Sequence, residues 1–297
     1  MSRRVLIVRH DWRSQAVAAA DFVEAQLRDL GLEPVHELDP DAATDPELGL
    51  VLGGDGTLLR AAELVRGRRI PLLGVNLGHV GFLAEADPDG LGEVVRRIAA
   101  RDYSVEERMT IDVEVQTPQG ECHTGWAINE ATIEKVDRSR VIELALGVDG
   151  RGLSTFGCDG IVLSTATGST AYAFSAGGPV VWPDVEALLA VPIAAHALFA
   201  RPLVVGPSSV LAVEVLERNL QPGDVWCDGR RQLPAPVGSP GWSRPRSPAA
   251  WSPSSTCRSA AGEEVAGTRD RGAQHREPRC HRLGTTAAGH RVHRHHR

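Results

Sequence analysis

The periodicity of this chain changes near residue 104, and that change restricts the fold more than any other feature of the sequence. Before it, short apolar runs alternate with helical patterns. "RVLIV" reads as a first β-strand. "SQAVAAADFVEAQLRDLGLEP" predicts a helix, with Val17, Phe22, Val23, Gln26, Leu27 and Leu30 at helical spacing. Ser14 is placed to cap that helix, and Gly31 to end it in a left-handed conformation, with Pro34 beyond. "LGLVL" and "IPLLGV" predict two more buried strands, with a helix between them that begins near Thr57. "LGEVVRRIAA" predicts a further amphipathic helix. Strands alternating with helices at this spacing build a parallel sheet. After residue 104, "MTIDVEVQTPQGECHTGWAINEATIEKV" alternates at every second residue, with "TPQGE" as a hairpin turn. "VIELALGVDGRGLSTFGCDGIVLST" continues with short strands and Asp-Gly turns. The reading is therefore an α/β domain over 1–104 and a mostly antiparallel β domain over 105–233.

A second change falls near Pro234. The 64 residues from there to Arg297 contain only Val237, Val265, Leu283 and Val292 from the set Val, Leu, Ile, Met and Phe. Such a segment buries too little apolar surface to offset an ordering entropy of about 1–2 kcal/mol per residue, and it is expected not to fold. Two readings stand. One is a functional basic tail. The other is a slip of reading frame near 234 in a G+C-rich gene, which fits a chain with a single lysine, Lys135. The terminal "HRVHRHHR" has no regular spacing and does not make a closed metal site.

Charge narrows the function. Residues 234–297 carry 11 Arg against four Asp or Glu, while 1–233 carry 21 basic and 34 acidic residues. An acidic body argues against general nucleic-acid binding. Five cysteines without a CxxC spacing read as reduced thiols of a cytosolic protein. The apolar run of "MSRRVLIVRH" is too short for a signal peptide, and nothing downstream approaches a membrane span.

Three clusters carry chemistry. "LVLGGDGTLLRAAE" follows a strand and enters a helix, so backbone amides at Gly54, Gly56 and Thr57 are expected to face an anion at the helix's positive end. No Gly-Lys-Ser/Thr follows, so this is not a Walker A loop. Asp55 repels phosphate, and makes sense there if it handles a proton or a cation beside it; an ordinary Asp-Gly turn is the other reading. In "INEATIEK", Asn129 and Glu130 on an extended chain would face opposite sides, unless a bend brings both to one ligand; a solvated strand end is the alternative. "FGCDGIVLSTATGSTAYAFSAGGPVVWPD" is a run of small residues from Ser164 to Gly178, broken by Tyr172 and Phe174. It suggests backbone lying against a ligand, with hydroxyls from Thr167, Ser169, Thr170 and Ser175, and Tyr172 stacking on a flat ring. A flexible Gly/Ser loop is the competing reading.

These clusters, in this order, resemble the NAD kinase family. "GGDGTLLRAAE", "LGVNLGHVGFLAE", "NEATIEK", "GCDGIVLST", "TGSTAYAFSAGGPVVWPD" and "ALFARPLVV" all look like family motifs, over about residues 4–233, and most like the actinobacterial branch. Bare GGDG is shared with lipid kinases and phosphofructokinases; the combination is specific. A lipid kinase would carry an Asn-Asp pair downstream, which "IPLLGVNLGHVGFL" lacks. The resemblance implies an α/β nucleotide domain followed by a β-sandwich, with the site in the cleft between them. It implies transfer of the terminal phosphate of ATP, or of polyphosphate, to the 2′-hydroxyl of the adenosine ribose of NAD, with a divalent metal, normally magnesium. Asp55 matches the family's proton acceptor, with Gly54 and Gly56 beside it and Arg60 supporting the pocket. Asn129, Glu130, Arg140 and Asp159 match dinucleotide contacts, and Thr170, Ala171, Tyr172, Ala173, Phe174 and Ser175 match the pocket lining. The family assembles as dimers or tetramers. Three departures stand out: Ala166 where a Pro is usual, Arg230 where many relatives carry Gln, and residues 234–297, where relatives supply the last sandwich strands. Without those strands an edge of the sandwich is expected to be bare, and an inactive NAD-binding remnant becomes the rival to an enzyme.

Overall fold

The computed structural model describes residues 2–41, 44–77, 90–197, 200–235, 237 and 249–261. Four strands form the parallel part of a sheet: β1 (Arg3–Arg9), β2 (Leu32–Val35), β3 (Leu48–Leu52) and β4 (Leu72–Val75), in the order β2-β1-β3-β4. Helix α1 (Ser14–Asp29) and helix α3 (Leu91–Ala100) lie on one face, and helix α2 (Asp55–Val65) on the other. Alternate residues of β1 divide between the faces. Val5 and Ile7 pack with α1 and α3, while Leu6 and Val8 pack with α2. Both faces are therefore apolar, as a parallel sheet covered by helices requires.

The sequence reading of α1 needs correction at its start and on its face. Ser14 is the first helical residue, the cap position falls to Arg13, and no side chain caps the helix. The buried face is Ala16, Ala19, Ala20, Val23 and Leu27, whereas Phe22 and Leu30 are exposed. Small alanines let the helix sit close to the sheet, so the large residues flank the contact instead of making it. Gly31 takes the left-handed conformation, φ +76°, as expected. The strand β2 that follows contains Pro34 and carries no alternation that would announce it; it lies at the sheet edge, where a missing N–H is tolerated.

The β-rich part is two sheets packed face to face. One carries β5 (Ser104–Gln116), β6 (Cys122–Ala127), β8 (Ile142–Val148), β9 (Arg151–Cys158) and β13 (Leu211–Val215). The other carries β7 (Glu130–Lys135), β10 (Gly160–Thr165), β11 (Leu188–Ile193), β12 (Leu203–Val205), β14 (Gly223–Cys227) and β15 (Arg231–Ala235). Its order is β12-β11-β10-β7-β14-β15. Inward residues of both sheets, among them Ile111, Val113, Ile133, Leu144, Ile161, Leu188 and Val225, form one core.

The expected turns are present. In "TPQGE" Gly120 has φ +90° and donates to the Thr117 carbonyl at 2.9 Å. Asp149-Gly150 joins β8 to β9 with both φ positive, 51° and 76°, the two-residue turn that matches strand twist. Asp159-Gly160 is not such a turn; it is a bend between β9 and β10 without positive φ.

Within 234–297 the described residues are 234, 235, 237 and a strand, β16 (Ala249–Ala261). Its backbone pairs antiparallel with β5 from Ala250↔Glu114 to Ala261↔Ser104, and meets β4 at Ser259↔Leu72. The register shifts between Pro253 and Thr256, where proline has no N–H to give the ladder. Its sequence, AAWSPSSTCRSAA, has no alternation, so period alone could not have found it. The remainder of that segment, including "HRVHRHHR", lies outside the described residues, as do residues 78–89 of the "LGVNLGHVGFLAE" motif and 198–199 of "ALFARPLVV".

Candidate active site

Strands β1, β3 and β4 end together, because His10 N–H donates to the Leu52 carbonyl at 3.2 Å and Gly53 N–H to the Val75 carbonyl at 3.1 Å. Open α/β sheets bind ligands at this edge. The glycine corner sits on it. A Cβ on Gly53 would fall 2.4 Å from Thr57 Oγ1, so this glycine is required by the close return of α2. A Cβ on Gly54 or Gly56 would meet nothing within 4 Å, so these two leave open space. Gly54 is the N-cap and half-buried Asp55 starts the helix, two residues earlier than the sequence suggested. One expectation is corrected: Thr57 N–H donates to the Gly54 carbonyl at 2.8 Å and does not face outward. The helix closes its own first turn with it. One turn on, Arg60 binds the Arg9 carbonyl and Asp11 (3.0 Å), tying α2 to the end of β1.

The second cluster is a bend. Ile128 and Asn129 interrupt the extended chain between β6 and β7, so the opposite-face problem of adjacent strand residues does not arise. Asn129 is 7% exposed and Glu130 8%, which removes the solvated strand end as a reading. Two of their side-chain atoms, Asn129 Oδ1 and Glu130 Oε2, are buried without a hydrogen-bond partner among the described residues. Buried polar atoms are rarely left so, and two neighbours left so are a natural place for a ligand. Burial pushes the Glu130 carboxyl from its ordinary 4.5 up to about 7; the Asp228 charge adds to the rise and the Tyr172 N–H, donating to it, opposes it.

The small-residue run wraps this bend. The Asn129 carbonyl accepts from Thr165 N–H (2.9 Å) and Ser164 Oγ (3.1 Å). Thr165 Oγ1 donates to the Ile128 carbonyl and accepts from Gly168 N–H. A Cβ on Gly168 would lie 2.0 Å from the Asn129 carbonyl oxygen, with nowhere for either backbone to go. Gly168→Ala is therefore expected to cost about 3 kcal/mol or more of unfolding free energy, measured by denaturant titration. A cost under about 1 kcal/mol would show that the run does not clasp the bend this tightly.

The run's hydroxyls divide. Ser169 is fully buried and spends its hydroxyl on Val181, donating to the carbonyl at 3.1 Å and accepting from the N–H at 2.9 Å. It holds the loop and is not a free donor. Thr170 Oγ1 donates to the Thr167 carbonyl at 3.3 Å, and Ala171 N–H to the Gly168 carbonyl at 2.9 Å. In the helical turn α4 (Tyr172–Ser175), Ala173 packs inward with Val162, Leu189 and Val191. Tyr172, Phe174 and Ser175 remain exposed.

Arg140 and Asp159 stand apart from the bend. In the β7–β10 ladder Ser164 opposes Glu130 and Gly160 opposes Glu134, so Asp159, one residue beyond Gly160, lies about 16 Å along the strand from Glu130. Asp159 pairs with Lys135 at 2.5 Å, and Arg140 lies 3.8 Å from Asp137. Partial burial raises the Tyr172 hydroxyl pKa, and the charges of Glu134, Asp159 and Glu130 raise it further. Sequence reasoning missed Asp228. Its carboxylate, 1% exposed, accepts N–H groups from both Ile128 and Asn129. The only signal was the Asp-Gly of "CDGRR", which reads as a turn.

An open parallel sheet with a glycine corner at its ligand-binding edge, joined to a β-sandwich that presents a second polar corner, defines a nucleotide-binding protein of two parts. Residues 9–103 match the ATP-NAD kinase N-terminal domain and residues 128–240 the ATP-NAD kinase C-terminal domain. The chain is 54% identical over 255 residues to NAD kinase 2 of Streptomyces coelicolor, covering 80% of this chain and 84% of that protein. It is 52% identical over 263 residues to the NAD kinase of Thermobifida fusca, covering 80% of each. Among solved structures, yeast NADH kinase complexed with NADH superposes with a TM-score of 0.76 at 22% identity, covering 88% of this chain and 84% of that one. The NAD kinase from Archaeoglobus fulgidus in complex with ATP gives 0.67 at 26% identity, covering 86% and 92%. The chain belongs to the NAD kinase family.

Proposed function

We propose that this chain is an NAD kinase, transferring the terminal phosphoryl group of ATP to the 2′-hydroxyl of the adenosine ribose of NAD to give NADP and ADP. The observation that carries the reading is the pair of buried atoms on Asn129 and Glu130 that have no hydrogen-bond partner among the described residues, in a chain 54% identical to an NAD kinase over four fifths of its length. A dinucleotide supplies the hydroxyls that such a pair lacks. The solved relative in complex with ATP supports ATP as donor.

Asp55 accepts the ribose proton as the new O–P bond forms and the bond to ADP breaks. A ribose hydroxyl is a poor nucleophile at neutral pH, and a placed base contributes about 10²–10⁴-fold. Alignment and charge neutralisation carry most of the rest. Gly54 and Gly56 leave the approach open, and Arg60 holds the helix to β1. Among the described residues no group of three or more His, Cys, Asp or Glu is gathered to hold an ion. Magnesium binds mainly through substrate phosphates with one or two carboxylates, so a metal that arrives with the triphosphate fits beside Asp55; when bound it would neutralise charge on the transferring group. Tyr172, with Thr170 to Ser175, lines the dinucleotide pocket, and Arg140 and Asp159 contact the far end of the ligand.

Among the described residues no helix is long and apolar enough to cross a membrane. The buried thiols Cys158 and Cys227, neither in a disulfide, support a cytoplasmic setting. The chain is expected to work as a homodimer or homotetramer if its C-terminal region folds. The test is an NADP-formation assay on the purified chain with ATP, then with polyphosphate, and a parallel assay with diacylglycerol. NADP formation supports the reading. Diacylglycerol phosphorylation, or NAD binding without turnover, would replace it with a lipid kinase or an inactive remnant.

A further inference from the structure

Outside the residues assigned to ligand, the densest polar cluster lies where α2 meets the β-rich part. Its centre is the Asp228-Gly229 turn between β14 and β15, with φ values of 52° and 60°. The Asp228 carboxylate accepts Ile128 N–H at 3.0 and 3.1 Å, Asn129 N–H at 2.8 Å and Arg231 Nη2 at 2.6 Å. Its own N–H donates to the Glu130 carbonyl at 2.8 Å. The backbone of three successive residues at the bend thus hangs on one side chain and its amide. From there the cluster runs to α2. Glu63 Oε1 lies 3.4 Å from Arg231 Nε, and Glu63 accepts from Arg230 at 2.9 and 3.2 Å. The guanidinium groups of Arg66, just past the end of α2, and Arg231 lie 4.0 and 4.2 Å from the centroid of Trp126 on β6. Ile128 itself packs against Leu59 and Ala62 of α2.

A hairpin turn requires none of this. Burying a carboxylate costs several kcal/mol unless every lone pair is used, and here the groups that use them belong to the bend and to the link with α2. Glu63 stands eight residues beyond Asp55 on the same helix, about 12 Å along it. We propose that Asp228, Arg231 and Glu63 form a brace that sets the Asn129–Glu130 bend at a fixed distance from the helix carrying Asp55, which makes Asp228 and Arg231 positioning residues for the phosphoryl transfer. The inference rests on the NAD kinase reading. The brace matters because reacting groups must meet within narrow limits, and a displacement of about 1 Å made far from the chemistry can cost about 10²-fold.

The test compares Arg231→Met, Glu63→Gln, their double variant and Asp228→Asn with the wild-type enzyme. The readouts are kcat, the KM values for NAD and ATP, and the folded fraction at the assay temperature. Arg231→Met is expected to lower kcat by about 10–100-fold, leave KM for ATP within about twofold, and keep the chain folded. The double variant should fall by less than the product of the single effects, since both remove the Glu63–Arg231 link, although Glu63 also pairs with Arg230 and Arg231 with Asp228. Should Asp228→Asn not fold, the Arg231 and Glu63 variants carry the test unaided. Unchanged kcat, a fall that merely follows the unfolded fraction, or single effects that multiply in the double variant would each overturn the brace. A wild-type chain that makes no NADP overturns the NAD kinase reading, and the claim on turnover with it. Normal wild-type turnover with indifferent variants overturns the brace alone.

Discussion

Replacing Asp55 by Asn is expected to lower NADP formation by about 10²–10⁴-fold while the fold and NAD binding persist. The expected loss follows from position. Asp55 is the first residue of α2, beside two glycines whose Cβ directions are empty, at the edge where three parallel strands end. Asparagine keeps the size and the helix start but cannot take up a proton. The carboxylate also sits at the positive end of the helix, where losing a negative charge costs about 0.3–1 kcal/mol of stability. Steady-state kinetics and an NAD-binding titration check the two halves separately. Wild-type turnover in the variant would remove Asp55 from its proposed role.

The second large effect is the pH dependence set by Glu130. Its carboxyl is raised from 4.5 to about 7 in the folded chain, chiefly by burial. Below the lower value both folded and unfolded chains hold the proton, and no penalty exists. As pH rises through the window from 4.5 to about 7, the unfolded chain releases its proton first, so folding loses stability. Above about 7 the full cost of a buried anion is present, about 3 kcal/mol at 1.36 kcal/mol per unit. Glu130→Gln removes that cost and keeps an acceptor for the Tyr172 N–H. The variant is expected to match the wild type near pH 4.5 and to exceed it by about 3 kcal/mol at pH 8, in denaturant titrations without ligand. An equal difference at both pH values would mean that the carboxyl titrates normally. In activity the same change should cost affinity for NAD, a trade of stability for binding that buried functional groups often show.

How much of this could be read from the chain itself varies by element. Glycine, Asp-Gly and alternation signals are local, and they located β1, β3, β4, the TPQGE turn and the β8–β9 hairpin. Periodicity misjudged α1, because its contact face is built from alanines whose small size, not their hydropathy, lets the helix approach. It missed β2, which does not alternate and is held by backbone pairing to β1. In the third cluster the small residues read as backbone lying against a ligand, yet part of the run serves the protein's own bend. Ser169 spends its hydroxyl on Val181, and Gly168 is glycine because it lies on Asn129 and not on a ligand.

By itself the sequence determined the strand–helix rhythm, the glycine corner with its carboxylate and the family. These rest on patterns within a few residues, where backbone geometry and side-chain type act directly. Tertiary structure alone decided that Asn129 and Glu130 are buried, each with a side-chain oxygen that no described residue hydrogen-bonds. It also decided that Asp228, read as a turn residue, holds their backbone, and that Glu63 and Arg231 link it to α2. Burial and partnership depend on which distant segments meet, and the separation of 99 positions between Asn129 and Asp228 puts that meeting beyond any local pattern.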